Sequence, residues 1–267
     1  MTTRNRTILT IAAVAMACFA MTTSAQAGLV GQLGILDEAW FTANPTNPDT
    51  AAPWQAGDTY HLAFSTVATV TQVAYPARYP ADAMWTDITN WDAVVQTEAN
   101  AAGIGGVTWK IIGSTSTVNA RDHAVASGPV YTCVGNPIAS NYADMWDGAV
   151  ANPITHIDGT PVGSPSYANL VLTGSNSNGT KSGNPLGDTD TFCTWGNPGF
   201  SDAPGNFPQW MMHANPNQDM NRPGSIYGLS EALTVVGGDP AVPEPSTFAL
   251  AALGLLGLIG FGRRRKR

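Results

Sequence analysis

Little in this chain points to chemistry on a bound substrate. The four histidines, His61, His123, His156 and His213, are scattered, and none falls in a His-Glu-x-x-His spacing. There is no Gly-x-Ser-x-Gly elbow and no Walker loop. Cysteine is scarce: Cys18, Cys133 and Cys193 are the three in the chain. Neither Cys133 nor Cys193 belongs to a Cys-x-x-Cys pair, and no His stands at ligand spacing, which argues against zinc. No internal repeat is visible. Arg121-Asp122-His123 is the most suggestive triplet, yet adjacent residues do not share a face in a helix or strand. It is expected to be structural, with Arg121 pairing a carboxylate under the long loops. The expectation is therefore a protein that is not an enzyme.

Positive charge is scarce too, once the two ends are set aside. Of the 12 Lys and Arg, 2 lie near the start (Arg4, Arg6) and 5 in the tail, which also takes 1 of the 19 acids. The body keeps 5 cations against 18 acids, a net of −13. A nucleic-acid binder wants a basic stripe, so that class is excluded. The balance suits a secreted domain or one that attracts cations.

Both ends carry export features. Arg4 and Arg6 precede an apolar stretch, Ile8 to Ala20, and Ala25-Gln26-Ala27 is a small-x-small site for signal peptidase. Residues 1–27 are expected to be a signal peptide, with the exported chain starting at Gly28. Cys18 follows Ala15-Met16-Ala17, which does not suit lipidation. At the other end stand Val242, Pro243, Glu244 and Pro245, then 15 residues from Phe248 to Gly262, then Arg263-Arg264-Arg265-Lys266-Arg267. A spanning helix needs about 20 apolar residues, and four of these 15 are glycine, which weakens helix. The five cations stay cytoplasmic by the positive-inside rule. Pro243 and Pro245 hold the preceding segment extended. This tail resembles the bacterial PEP-CTERM sorting signal, which envelope proteases of the exosortase type recognise. The resemblance implies a protein exported, anchored transiently in the inner membrane, then cut and released to the cell surface or its matrix.

Between the ends, residues 28–58 read as a turn-rich N-terminal extension, punctuated by Asn44-Pro45, Asn47-Pro48 and Pro53. Residues 59–238 read as one domain, 239–247 as a linker with the Pro-Glu-Pro motif, 248–262 as the transmembrane segment and 263–267 as the basic tail. Within the domain, Tyr60 to Ser65 reads as a strand. Thr89 to Ala102 is the clearest helix, with Thr89 capping, Asp92 completing a capping-box-like pair, and Gly103 stopping it. Val107 to Ile112 and Asn169 to Thr173 read as strands, and Ile226 to Val236 as the closing strand or strand pair. Residues 113–167 read mostly as loop, and 174–190 as a long exposed loop. After Cys18 is removed, Cys133 and Cys193 most simply pair in an oxidising envelope. That bridge would close a loop of about 60 residues, contributing on the order of 4 kcal/mol in the chain-entropy model. Two separate thiols, or an intermolecular bridge, are the alternatives.

The expected fold class is α+β: one main helix, short antiparallel strands, long loops. The series Trp109-Lys110, Ser114-Thr115, Asn119-Ala120-Arg121-Asp122, Ser127-Gly128-Pro129, Ala143 to Gly148, Asn152-Pro153-Ile154, Thr173-Gly174 and Cys193-Thr194-Trp195 resembles an uncharacterised bacterial surface domain with a C-type-lectin-like fold. The similarity spans about Tyr60 to Val236, with a longer spacing before Cys193. It implies that fold and a binding role, and it carries no catalytic residues.

Candidate metal ligands are Asp144 with Asp147 and Asp188 with Asp190, because calcium takes carboxylate and carbonyl oxygens. The set Asn215, Asn217, Asp219, Asn221 resembles the start of a calcium loop, but Met220 and Ile226 stand where Gly and Glu are needed. Asx residues also serve turns, the favoured reading there. Trp91, Trp109, Trp146 and Trp195 are assigned to the core; Trp54 and Trp210 are the candidates for an exposed aromatic contact to sugar. The preferred function is a non-enzymatic binding module for polysaccharide or an envelope component. The alternatives are a structural matrix protein without a specific ligand and a secreted hydrolase. The hydrolase requires His123 or His156 to gather with carboxylates in one cleft.

Overall fold

A seven-residue segment, Thr59–Ser65 (TYHLAFS), is buried from its second residue to its last. The rest of the body is arranged around it. The computed structural model describes residues 28–67, 86–162, 171–187, 192–199, 203, 205–213, 217–219 and 224–237. Its elements in chain order are β1 (Leu29–Gly31), α1 (Glu38–Ala43), β2 (Thr46–Asn47), β3 (Ala52–Pro53), β4 (Thr59–Ser65), α2 (Ile88–Ala101), β5 (Trp109–Ile111), α3 (Ala120–His123), β6 (Val130–Thr132), β7 (Pro137–Ala139), α4 (Tyr142–Met145), β8 (Val171–Leu172), β9 (Phe192–Gly196), β10 (Asn217–Asp219), β11 (Tyr227–Ser230) and β12 (Leu233–Gly237). The architecture is mixed α+β, mostly sheet with few short helices.

The main sheet has seven strands, with the path β1-β12-β4-β11-β5 and β6 and β7 branching from β4. β11 and β12 lie end to end along one edge of β4, with Leu229 opposite Ala63 and Leu233 opposite Tyr60. The other edge pairs with β6, His61 opposite Val130, and this pair is parallel. The sheet is therefore mixed, whereas the sequence reading expected antiparallel strands. Its parallel pair arises because the chain leaves β4 through α2 and returns along the same direction, as a crossover requires. A second, three-stranded sheet has the order β10-β9-β8.

β4 shows no alternation of polar and apolar residues because both its faces are covered. Tyr60, Leu62 and Phe64 join one apolar cluster with Trp91 and Val95 of α2, while Ala63 joins another with Trp146, Trp210 and Tyr227. α2 approaches the sheet so closely that a Cβ on Gly228 would lie 2.4 Å from Val95 Cγ1. Glycine is needed there for space.

α2 begins one residue before the sequence reading. Asp87, not Thr89, is the N-cap, its carboxylate accepting from Thr89 N at 3.0 Å. Asp92 makes no capping box. It reaches across to accept from Ile111 N at 2.8 Å and ties the helix to β5. Gly103, at φ +79°, ends the helix as expected.

The stretch 113–162, expected to be mostly loop, holds two short strands and two short helices. The glycine- and serine-rich stretch after residue 173 is packed rather than exposed: Ser175 and Leu186 are fully buried, and residues 175 and 181 bridge. Leu36, Phe41 and Trp54, from residues 28–58, belong to the same core as β4. Residues 29–236 cluster as one unit.

Where β11 gives way to β12 the register against β4 shifts, and side chains fill the irregularity. Ser230 Oγ accepts from Leu62 N at 2.9 Å. His61 Nε2 accepts from Ser127 N at 2.9 Å, so the neutral ring carries its proton on Nδ1 and donates to Ser230 O at 2.9 Å. Burial lowers the His61 pKa below its ordinary 6.5. The unfolded chain takes up a proton below pH 6.5 and the folded ring does not, so His61 contributes stability above that pH that is lost on acidification. His61→Ala is expected to destabilise by about 2–4 kcal/mol at pH 7.5, since it strands a buried donor and acceptor. It should also flatten the fall in urea midpoint between pH 7 and 5.

Candidate functional site

The structure assigns most of the expected site residues to local structure. Asp144 accepts from Ser140 N at 2.6 Å, and Asp147 from Ala149 N at 3.1 Å, each within its own turn. Asp188 and Asp190 lie outside the described residues. Among the described residues no group of three or more His, Cys, Asp or Glu is placed to hold a metal ion. Asn217 and Asp219 are in β10; Asn215 and Asn221 lie outside the described residues.

Trp54 and Trp210 are not exposed, which corrects their proposed role as surface contacts. Trp54 packs edge-on against Trp40 and Phe41. Trp210 lies 5.8 Å from Trp146 and 5.9 Å from Tyr227 and is fully buried. Their loops fold inward because residues 28–58 and 205–213 each close one side of the core, and a large aromatic is the means of closure. Trp91, Trp109, Trp146 and Trp195 are buried as expected.

Cys133 and Cys193 are both buried, and the structure shows no bridge between them. Cys133 follows β6 of the main sheet, with Sγ 4.0 Å from Ala63 O; Cys193 lies on β9 of the second sheet, with Sγ 3.2 Å from Thr194 O. Burial pushes the Cys133 thiol up to about 12.

The Arg121-Asp122-His123 triplet is not a relay. Among the described residues the carboxylate that Arg121 meets is that of exposed Asp122, at 3.7 Å, rather than one under the loops. His123 Nε2 lies 2.9 Å from Asp92 Oδ1, joining α3 to α2.

One concave site brings a histidine and two carboxyl groups together. It is a cavity of about 690 Å³ at the C-terminal end of α2, within the size range of small-ligand sites. The helix contributes Thr97, Glu98, Ala101 and Ala102; the chain just past β4 contributes Val67; the turn at 156–160 contributes His156, Ile157, Asp158 and Thr160. The turn is fixed from within: His156 N donates to Thr160 O, and Asp158 accepts from Thr160 N and Oγ1. Gly159 turns it at φ +82°, where a side chain would be strained. The turn is docked on β4 by Ser65 N, which donates to Thr155 O at 2.7 Å, and by His156 Nδ1, 2.9 Å from Ser65 O.

Glu98 accepts from Val67 N through both oxygens, at 2.9 and 3.2 Å. Burial raises its pKa from 4.5 to about 7, against the opposing pull of that N–H. Asp158, held by Thr160, lies below its ordinary value. The sequence reading did not single out Glu98. The available signal was positional: it lies seven residues after Trp91 and three after Val95, on the helix stripe that faces the core.

The remaining export features lie outside the described residues: the signal segment 1–27, the motif Val242 to Pro245 and the run 248–262. Among the described residues no helix is long and apolar enough to cross a membrane. The family profile described as the PEP-CTERM protein-sorting motif matches residues 241–266. The chain thus carries a sorting motif of the kind processed by exosortase, which marks export through the membrane to the cell surface. No curated protein matches the chain.

Two buried thiols and one bridge give different masses and reactivities. Intact mass of protein recovered from the cell surface, before and after reduction, decides between them, and no change in mass would leave two thiols. Cys133, buried and with its thiol pushed up to about 12, should resist iodoacetamide at pH 8 while the protein is folded. A gain of two hydrogens on reduction would establish the bridge instead.

Proposed function

We propose that this chain is an exported surface or matrix protein whose body is a non-enzymatic binding module for polysaccharide or another envelope component. The observation that carries the binding role is the cavity at the end of α2, an open site with an apolar floor and a few convergent polar groups. The sorting motif at 241–266 supplies the destination. The signal peptide at 1–27 and cleavage near Val242 to Pro245 belong to the same reading, with signal peptidase and an exosortase-type protease as processing partners. The C-type-lectin-like fold is part of it too. It is supported by the places of the quoted segments: Trp109 and Lys110 on β5, Arg121 and Asp122 on α3, Trp146 and Thr173 in the interior.

A secreted hydrolase has one observation in its favour, since His156, Glu98 and Asp158 line a single cavity. Against it, Asp158 is committed to its own turn and Glu98 to Val67 N. Binding needs no more than the wall provides, and we hold to it.

Protein recovered from cells is expected to lack residues 1–27 and the tail beyond Pro245 by intact mass. On a glycan array and in pull-down from extracellular matrix, with and without calcium, it should retain a polysaccharide. Absence of any retention, together with unchanged matrix architecture on deletion, would remove the binding reading. Turnover of a bound glycan would replace it with the hydrolase.

A further inference from the structure

We propose that Asn178 is a site of self-modification: its side-chain amide closes on the backbone nitrogen of Gly179 and is converted to an acid. The site is separate from the cavity, and its chemistry does not depend on the binding reading.

Asn178-Gly179 is the one Asn-Gly pair in the chain. Seven other asparagines, Asn136 and Asn152 among them, precede proline, which has no N–H to give up. Glycine carries no Cβ, so its own nitrogen is the least hindered nucleophile the backbone offers. Asn178 is exposed. Its Oδ1 accepts from Thr180 N at 3.2 Å and from Thr180 Oγ1 at 2.7 Å. Two donors on that oxygen stabilise the negative charge that develops there when a nucleophile adds to Cγ. Gly179 N donates to Asn176 O at 3.0 Å, so the step waits on local opening of that bond.

The bonds balance without an oxidant or a second reactant other than water. Gly179 N forms a bond to Asn178 Cγ, the Cγ–Nδ2 bond breaks, and Nδ2 leaves with the amide proton as ammonia. The product is a five-membered cyclic imide. Water then adds its hydroxyl to one carbonyl carbon and its proton to the ring nitrogen. Opening at the side-chain carbonyl leaves aspartate. Opening at the backbone carbonyl leaves isoaspartate, with the chain running through Cγ.

A second turn in the fold shows that aspartate fits. In residues 176–180, Asn176 N donates to Thr180 O at 2.8 Å; in residues 156–160, His156 N donates to Thr160 O at 3.0 Å. Gly179 N and Gly159 N donate to the first residue of each turn, at 3.0 and 2.9 Å, and the glycines have φ of +74° and +82°. In each turn the threonine N and Oγ1 donate to the same side-chain oxygen, that of Asn178 in one and of Asp158 in the other. Asp158 thus already holds the place that the aspartate product would take. Isoaspartate lengthens the backbone of a turn that is clamped on α3, where Arg121 N donates to Gly179 O at 3.2 Å, and pressed so closely on the Trp146 ring that a Cβ on Gly179 would clash. That product loosens the dock.

The test is peptide mass spectrometry of protein recovered from the cell surface, at once and after incubation at pH 8, with ammonia assayed in the solution. The peptide that holds Asn178 should change from amide to acid before any other asparagine does. It should yield two products of equal mass that separate by chromatography. Asn178→Gln, which must close a six-membered ring, should slow the conversion about tenfold or more. Asn178→Asp should keep the wild-type urea midpoint. Prior conversion of another asparagine, or no conversion, overturns the proposal, as does a lowered midpoint in Asn178→Asp. Asn178-Gly179-Thr180 also fits the Asn-x-Thr pattern of a glycan acceptor, and a glycan found on Nδ2 would overturn the proposal too.

Discussion

Everything in this body leans on the backbone of one buried strand. β4 has no face and no edge left to water: α2 covers one side, the Trp146–Trp210–Tyr227 cluster covers the other, and β11, β12 and β6 take its edges. A strand in that position must have every N–H and C=O paired, because an unmatched buried group costs about 1–3 kcal/mol. Its partners come from residues far apart in the chain, so the strand can form only when the closing residues 227–237 arrive. Between β11 and β12 the register against β4 shifts, and His61 and Ser230 supply the pairing there with side-chain atoms. A histidine there is a polar plug at a register fault, which is why its lone position in an apolar strand carries no catalytic meaning.

The same dependence explains what could be read from the residues alone. Local signals worked where the structure is local. The 3.6-residue repeat of Trp91 and Val95, with Gly103 behind it, placed α2 to within one residue. The apolar centre of β4 and the pair at 227–237 were legible from β-prone residues between breakers. Local signals failed where long-range partners decide the state. Val130–Thr132 and Pro137–Ala139 are too short to show a period, and they are strands because β4 offers an edge. Residues 174–187 look like solvent loop by composition, yet Leu186 and Ser175 are drawn into the core. Trp54 and Trp210 sit among turn residues that say nothing of the inward direction of their rings. The pairing of two cysteines follows from counting, whereas the structure sets Cys133 just after β6 of the main sheet and Cys193 on β9 of the second.

The candidate site was the least legible part, since it is made by the end of a helix, the end of a strand and a turn that share no sequence neighbourhood. Its central residue looks like an ordinary helix glutamate. Only its place on the buried stripe distinguishes it, and a charged residue on such a stripe is usually explained by a partner. Among the described residues the internal partner is a backbone N–H, that of Val67. A glutamine would accept that bond equally and would carry no cost for desolvating a charge. The structure therefore gives no stability reason for a carboxyl group at position 98.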